Sequence, residues 1–297
     1  MKQTVFTGAA TAIITPFAKD GSIDFESYGR MIDWQIESGI NAIVSVGTTG
    51  ENATLEDDEH QEALDFCIKR VNGRVPVIAG TGSNNTAHAI NMSKCACDMG
   101  ADALLVVTPY YNKATQKGLI ASFEAIADSV SKPCILYNVP SRTGCNILPE
   151  TAAVLARHPN IAAIKEASGD ISQIAKTAEL CGDDLDIYSG NDDQTVPILS
   201  LGGKGVISVL SNIMPAETAE LCARFFRGDT KGALELQMKY LRLMNHLFCE
   251  VNPIPVKAAC AAMGICKNVV RLPLLPMEAK NEEKLRELMR EAGLKLK

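Results

Sequence analysis

Aromatic side chains, an excess of positive charge and long apolar runs are what this 297-residue sequence has least of. Phe, Tyr and Trp make up 5% of the residues, and the formal net charge is −6. This balance disfavours nucleic acid or an anionic membrane surface as the main partner. No run approaches the ~20 apolar residues that span a bilayer, and MKQTVFTGAATAIITPF lacks the long apolar core of a signal peptide. We therefore predict a soluble, cytoplasmic protein without a nucleic-acid or membrane partner.

Signs of a metal or disulfide framework are also missing. The ten cysteines form no Cys-x-x-Cys pair, and several lie in apolar runs, where a free thiol behaves as a small hydrophobe: Cys67, Cys134, Cys181 and Cys260. The histidines are scattered, and we expect surface positions for all four: His60, His88, His158 and His246. Asp192-Asp193 has no partner residues in a ligand pattern. We predict reduced, buried thiols and no metal.

Short apolar runs, often β-branched, recur eight times along the chain: residues 10–14, 42–46, 75–79, 103–108, 134–138, 162–166, 186–189 and 205–209. They are continuous rather than alternating, which is typical of parallel strands covered on both faces. Amphipathic helical stretches separate them. An open doubly wound sheet usually has fewer strands and a Gly-rich first turn, so we predict a (β/α)8 TIM barrel.

After the eighth run the pattern is helical, with apolar stripes such as Leu236, Tyr240, Leu243 and Leu247. We predict a catalytic barrel over residues 1–225 and a C-terminal helical extension over residues 226–297 that packs on the barrel. No glycine-rich motif fits a nucleotide site, because Gly80-Thr81-Gly82 lacks the third glycine of a dinucleotide fingerprint.

Polar residues follow several predicted strands, at the end where TIM barrels collect functional groups: 48–51, 108–111, 137–140, 165–166 and 189–192. Lys165 follows the apolar run 161–164, so we expect it inside the barrel, where desolvation lowers its pKa. A neutral amine attacks a carbonyl carbon to give an imine. The alternative is a lysine that reaches solvent or pairs with Glu166.

Three further features suit an imine-forming site. Tyr137 ends an apolar strand, where its phenol can relay protons or simply fill the barrel mouth. Arg142 lies in a loop between Pro140 and Gly144, and it either grips a substrate carboxylate or is an ordinary surface arginine. The turn 47–51 offers backbone amides and two hydroxyls to a small carboxylate, although any tight turn needs glycines.

Taken together, these segments resemble the dihydrodipicolinate synthase family over essentially the whole chain. The matching segments are GTTGE (47–51), GTGS (80–83), TPYYN (108–112), YNVPSRTG (137–144), IKEASGD (164–170) and SGND (189–192). The resemblance implies a lyase that condenses pyruvate with aspartate semialdehyde to 4-hydroxy-tetrahydrodipicolinate in lysine and diaminopimelate biosynthesis. It also implies that no metal or organic cofactor is needed.

The resemblance assigns catalytic roles to four residues. Lys165 forms the imine with pyruvate, and Tyr137 shuttles protons through links to Thr48 and Tyr111. In this family the tyrosine at the position of Tyr111 comes from the neighbouring subunit. The resemblance therefore implies a homo-oligomer, commonly a tetramer of two tight dimers.

The resemblance also assigns substrate-binding roles, to Thr49, Arg142, Gly190 and Ile207. Thr48 and Thr49 hold the pyruvate carboxylate, Arg142 receives the carboxylate of the aldehyde, and the other two line the site. The nearest alternative is an N-acetylneuraminate lyase or a keto-deoxy sugar-acid aldolase, which generally lacks the arginine. A non-catalytic keto-acid-binding relative is a second alternative, and the intact catalytic set argues against it.

Some members of the family carry a lysine feedback site between subunits. The matching positions here are Asn52, Ala53, Asp57, His60, Asn84, His88 and Tyr110. His88 stands where lysine-sensitive members usually place a glutamate, and Asp57 replaces a histidine. We predict weak or absent inhibition by lysine.

Overall fold

The computed structural model describes residues 2–297, and within them eight parallel strands form a closed barrel. Each strand pairs with the next along the chain, and the eighth pairs with the first, with Ala9 opposite Val206. The strands are β1 (Gly8–Ala12), β2 (Ala42–Ser45), β3 (Val77–Gly80), β4 (Ala103–Val107), β5 (Cys134–Asn138), β6 (Ile161–Glu166), β7 (Asp186–Ser189) and β8 (Gly205–Ser208). The predicted (β/α)8 barrel is confirmed.

Helices follow the strands and cover the outside of the barrel. They are α1 (Phe25–Glu37), α2 (Asp57–Val71), α3 (Thr86–Met99), α4 (Gln116–Asp128), α5 (Pro140–Thr143), α6 (Pro149–Leu155), α7 (Ile171–Cys181), α8 (Thr195–Ser200), α9 (Pro215–Phe226), α10 (Thr230–His246), α11 (Ile254–Ala262) and α12 (Ala279–Glu291). Short polar side chains begin several of them by accepting a hydrogen bond from a first-turn N–H: Asp24, Asn85, Thr115, Asp170 and Asp229.

Two predicted strands are shifted by one or two residues. β1 was expected at 10–14 but begins at Gly8, because Asn41 Oδ1 accepts a hydrogen bond from Ala9 N and fixes the earlier start. The apolar run continues beyond the strand, where Ile14 N donates to Asn212 Oδ1. β3 begins at Val77, just after Pro76, which has no N–H to give to a neighbouring strand.

The core has two layers. One fills the barrel interior and contains Ile135, Tyr137, Ala163, Tyr188 and Ile207. The other lies between the strands and the surrounding helices and continues into α10, α11 and α12. The four cysteines predicted to be buried free thiols are buried, and all ten cysteines are free.

The C-terminal helices pack on the last part of the barrel. α10 contacts α8 and α9, and α12 contacts α10 and α11. The predicted boundary after residue 225 falls one residue before the end of α9, a helix that contacts β1 and β8. Among residues 2–297, no helix combines the length and the apolar character required to cross a bilayer.

Candidate active site

A cavity of about 470 Å³ opens at the carboxyl ends of the later barrel strands. Five of its lining residues belong to the barrel and were predicted as site residues: Thr49, Tyr137, Arg142, Lys165 and Gly190. A further part of its wall is residues 248–252, which belong to the segment between α10 and α11. The cavity therefore lies between the barrel mouth and the C-terminal extension.

Lys165 is buried in this cavity, with 5% of its surface exposed. It lies opposite Tyr137 in the pairing of β5 with β6, and its Nζ is 4.2 Å from the centroid of the Tyr137 ring. Burial lowers the pKa of Lys165 from 10.5 to about 7; the negative charge of Asp192 opposes this change, and the positive charge of Arg142 adds to it. A large fraction of this amine is therefore neutral at neutral pH.

Glu166 does not pair with Lys165. Successive residues of a strand point to opposite faces, and the Glu166 carboxylate accepts hydrogen bonds from Asn138 Nδ2 at 3.1 Å and from Ser168 N at 2.8 Å. The structure thus excludes the interpretation of Lys165 as a solvent-exposed lysine or a partner of Glu166.

Tyr137 is also buried, with 7% of its surface exposed. Burial raises the pKa of its hydroxyl, and the Arg142 charge and the Thr48 side chain offset part of the rise. The phenol is therefore protonated at neutral pH and lies beside an amine that titrates there. A protonated phenol in this position can give a proton to a reacting carbon or oxygen and take it back.

The turn that carries Thr48 and Thr49 is held in a strained conformation. Val46 has a φ of 48° and Glu51 a φ of 56°, both in the left-handed region. This region is unfavourable for residues other than glycine, most of all for a residue branched at Cβ such as Val46, and such residues typically cost about 1–3 kcal/mol each. The surrounding structure must therefore fix this turn.

A buried ion pair provides that fixation. Glu51 forms it with Lys257 of α11, and both side chains are at most 1% exposed. The second oxygen of Glu51, Oε2, accepts a hydrogen bond from Arg271 N at 3.0 Å. Lys257 Nζ donates to Val269 O at 2.9 Å and lies 3.8 Å from the centroid of the Phe17 ring. The C-terminal extension thus holds the turn through a charge pair, with the hydrogen bonds that buried charges require.

Asn252 connects the extension directly to two predicted substrate-binding residues. Its Nδ2 donates to Thr49 Oγ1 at 2.9 Å, and its backbone carbonyl accepts from Arg142 Nη2 at 3.3 Å. We did not predict Asn252 from the sequence, because neither its residue type nor its spacing marks it. The exposed guanidinium of Arg142 is thereby held at the cavity wall.

The other predicted site residues lie in different places. Gly190 is needed for close packing, since an added Cβ would lie 2.7 Å from Ala167 Cβ and 3.2 Å from Lys165 Cε. Ile207 is fully buried in the barrel interior, in the same cluster as Tyr137. Tyr111 is 92% exposed, has a φ of 71° and does not line the cavity of its own chain.

The predicted effector positions surround a second, small cavity of about 70 Å³. Its lining includes Asn52, Ala53, Asp57, His60, His88 and Tyr110. Asn84 lies nearby, with its backbone carbonyl accepting from Asn112 Nδ2. His88 Nε2 lies 2.9 Å from Asp57 Oδ1, so these two side chains bind each other.

The prediction of a surface position is wrong for His60. It is 6% exposed, and its Nε2 lies 2.9 Å from Gly80 O. The helix α2 turns this residue toward the barrel, where the Gly80 carbonyl pairs with Nε2, while Nδ1 is buried without a hydrogen-bond partner among the described residues. Within residues 2–297, no group of three or more His, Cys, Asp or Glu side chains is arranged to hold a metal ion.

Comparison with known proteins gives a consistent result. Residues 5–292 match the model of the Dihydrodipicolinate synthetase family. A 4-hydroxy-tetrahydrodipicolinate synthase from Caldicellulosiruptor bescii is 55% identical over 99% of this chain and 100% of its own length.

Two solved structures of dihydrodipicolinate synthases each have a TM-score of 0.96 and 45% identity, covering 98% of this chain and 100% of the other. One is from Thermotoga maritima, and the other is the Acinetobacter baumannii protein in complex with pyruvate. A family match over nearly the whole chain, together with these identities, shows that the chain belongs to the Dihydrodipicolinate synthetase family.

Proposed function

We propose that this protein condenses pyruvate with L-aspartate 4-semialdehyde to give 4-hydroxy-tetrahydrodipicolinate, a step of lysine and diaminopimelate biosynthesis. The observation that carries the proposal is Lys165, a buried amine with a pKa of about 7 beside the Tyr137 ring. The named relative and the pyruvate complex described above support the choice of substrates.

The reaction begins when the neutral Lys165 amine attacks the ketone carbon of pyruvate and water leaves, giving an imine. Loss of a methyl proton converts the imine to an enamine, whose carbon attacks the aldehyde of the second substrate. Tyr137 gives a proton to the new alkoxide and accepts one in the earlier steps, with Thr48 and Tyr111 as its relay partners. The amine of the adduct then displaces Lys165 by transimination, which closes the ring and frees the enzyme.

In the proposed complex, protein side chains hold both carboxylates and no metal or organic cofactor takes part. Thr48 and Thr49 lie on the turn beside Lys165 and hold the pyruvate carboxylate through hydroxyl and backbone N–H donors. Arg142 binds the carboxylate of the aldehyde, to which a guanidinium can donate two hydrogen bonds. Gly190 leaves room for the substrate next to Lys165, and Ile207 closes the floor below.

We propose further that the protein works in the cytoplasm as a homo-oligomer, a tetramer built from two tight dimers. Tyr111 supports this assembly, because a large, 92% exposed aromatic side chain outside its own cavity is free to enter the site of a neighbouring subunit.

The decisive experiment compares two reactions, the condensation with aspartate semialdehyde and the cleavage of a sugar acid. Product formation is followed with pyruvate plus aspartate semialdehyde, and separately with N-acetylneuraminate in the cleavage direction. Turnover with aspartate semialdehyde and none with N-acetylneuraminate is expected. The reverse result would assign the chain to sugar-acid cleavage. The variant Arg142→Gln is expected to raise the KM for the semialdehyde far more than the KM for pyruvate.

A further inference from the structure

Asn252 and Thr49 form a buried contact between the C-terminal extension and the barrel. Their hydrogen bond, from Asn252 Nδ2 to Thr49 Oγ1, is 2.9 Å long and joins residues 203 positions apart. Asn252 is 5% exposed and Thr49 is 4% exposed, and both line the cavity that contains Lys165. The contact is therefore part of the cavity wall and shielded from solvent.

We propose that Asn252 is a positioning residue that sets the direction in which the Thr49 hydroxyl donates its hydrogen. A hydroxyl oxygen that accepts a hydrogen bond from an amide cannot use its own hydrogen for that same contact. The Thr49 O–H is therefore available to an acceptor in the cavity, and a carboxylate offers only acceptors. The inference rests on the proposed function, in which Thr49 holds the carboxylate of pyruvate.

The unused half of the Asn252 amide supports a functional role. Among residues 2–297, its Oδ1 is buried without a hydrogen-bond partner. Buried polar atoms are nearly always paired, and leaving one unpaired lowers stability. The side chain therefore makes only the contact to Thr49, which is difficult to explain as an adaptation for stability alone.

Replacement of the Asn252 side chain is expected to affect the two substrates differently, because Arg142 contacts only the backbone of Asn252. Arg142 Nη2 donates to the backbone carbonyl of Asn252, which remains when the side chain is replaced. Substitution of the Asn252 side chain is therefore expected to weaken the binding of pyruvate and to leave the binding of the semialdehyde largely unchanged.

The test is a double-mutant cycle read out as separate KM values for the two substrates. Asn252→Ala is expected to raise the KM for pyruvate by about 2–10-fold, the effect of one neutral hydrogen bond, with kcat and the semialdehyde KM within about twofold of wild type. In the Thr49→Val background, Asn252→Ala is expected to cause no further rise in the pyruvate KM, because the Thr49 hydroxyl that Asn252 positions is already absent. Fully additive effects, or equal rises in both KM values, would overturn the proposal.

The isosteric variant Asn252→Asp keeps the shape of the side chain and guards against failure of the alanine variant to fold. Its carboxylate accepts the Thr49 hydrogen and repels the substrate carboxylate, so we expect a larger rise in the pyruvate KM than in Asn252→Ala. A pyruvate KM equal to that of wild type would contradict the proposal.

Borohydride trapping of the pyruvate imine separates this inference from the proposed function. Absence of trapping in the wild-type protein refutes the proposed function itself. A different set of results would refute only the role of Asn252. In that case the wild type is trapped and Thr49→Val binds pyruvate more weakly, but both Asn252 variants bind pyruvate as the wild type does.

Discussion

Imine formation is expected to depend on pH through the charge of Lys165, with a midpoint near pH 7. A lysine is reactive when neutral, so the rate rises with pH up to the pKa and is constant above it. With a pKa of about 7, half of the amine is neutral at pH 7. A lysine with a pKa of 10.5 would be neutral in only about 0.03% of molecules. Burial therefore increases the reactive fraction by about three orders of magnitude.

Two charged residues near Lys165 change its pKa in opposite directions. Arg142 lowers the pKa of Lys165 and Asp192 raises it, although burial is the largest effect. Arg142→Met is therefore expected to move the midpoint to higher pH. Asp192→Asn is expected to move the midpoint to lower pH. The asparagine keeps a side-chain oxygen for the hydrogen bonds that Asp192 Oδ2 accepts from Val209 N and Leu210 N at 3.0 Å.

The assay measures the rate of imine formation with pyruvate alone, at pH values below and above 7. Protein and subsaturating pyruvate are mixed rapidly, and the reaction is quenched with borohydride. Omitting the aldehyde removes the proposed substrate of Arg142 from the measurement. A rate that still rises about tenfold per pH unit at pH 9 would refute the reasoning, because it would show an ordinary lysine. Shifts of the two variants in the same direction would refute the assignment of the charges.

Three further outcomes are expected. Lys165→Met raises the free energy of unfolding by up to about 4 kcal/mol at pH 7, because the pKa of Lys165 is lowered on folding. This increase, measured by denaturant unfolding, is largest below pH 7 and disappears as pH rises through 10.5. Lys257→Met lowers the free energy of unfolding by about 3–5 kcal/mol, because Glu51 is left buried without its partner. Lys231→Met, which removes an exposed ion-pair partner, is the control and changes it by less than about 0.5 kcal/mol. Millimolar lysine leaves steady-state activity nearly unchanged, and His88→Glu increases the inhibition; half-inhibition of the wild type by submillimolar lysine contradicts this expectation.

The barrel was predictable because its signal is local. Buried parallel strands need continuous apolar runs, and each run lies in the sequence where its strand lies in the structure, within about two residues. Lys165 was predictable for the same reason, since a lysine at the end of such a run is placed in the barrel by its neighbours.

Long-range contacts were not predictable. The Glu51–Lys257 ion pair and the Asn252–Thr49 hydrogen bond each join residues about 200 positions apart, and no periodicity connects them. The prediction for His60 was wrong because a histidine at a helix position gives no sign of the distant backbone carbonyl that pairs with its Nε2. The extension was expected to pack on the barrel, yet nothing in its pattern indicated that it forms a wall of the cavity.

The most direct test of the account is to locate the covalent bond. The protein is incubated with pyruvate, reduced with borohydride, digested and analysed by mass spectrometry. We expect one modified lysine, Lys165, carrying the mass of a reduced pyruvate adduct, and no adduct in Lys165→Met. A stable adduct on a different lysine, or none at all, would contradict the claim that the buried amine of Lys165 forms the imine.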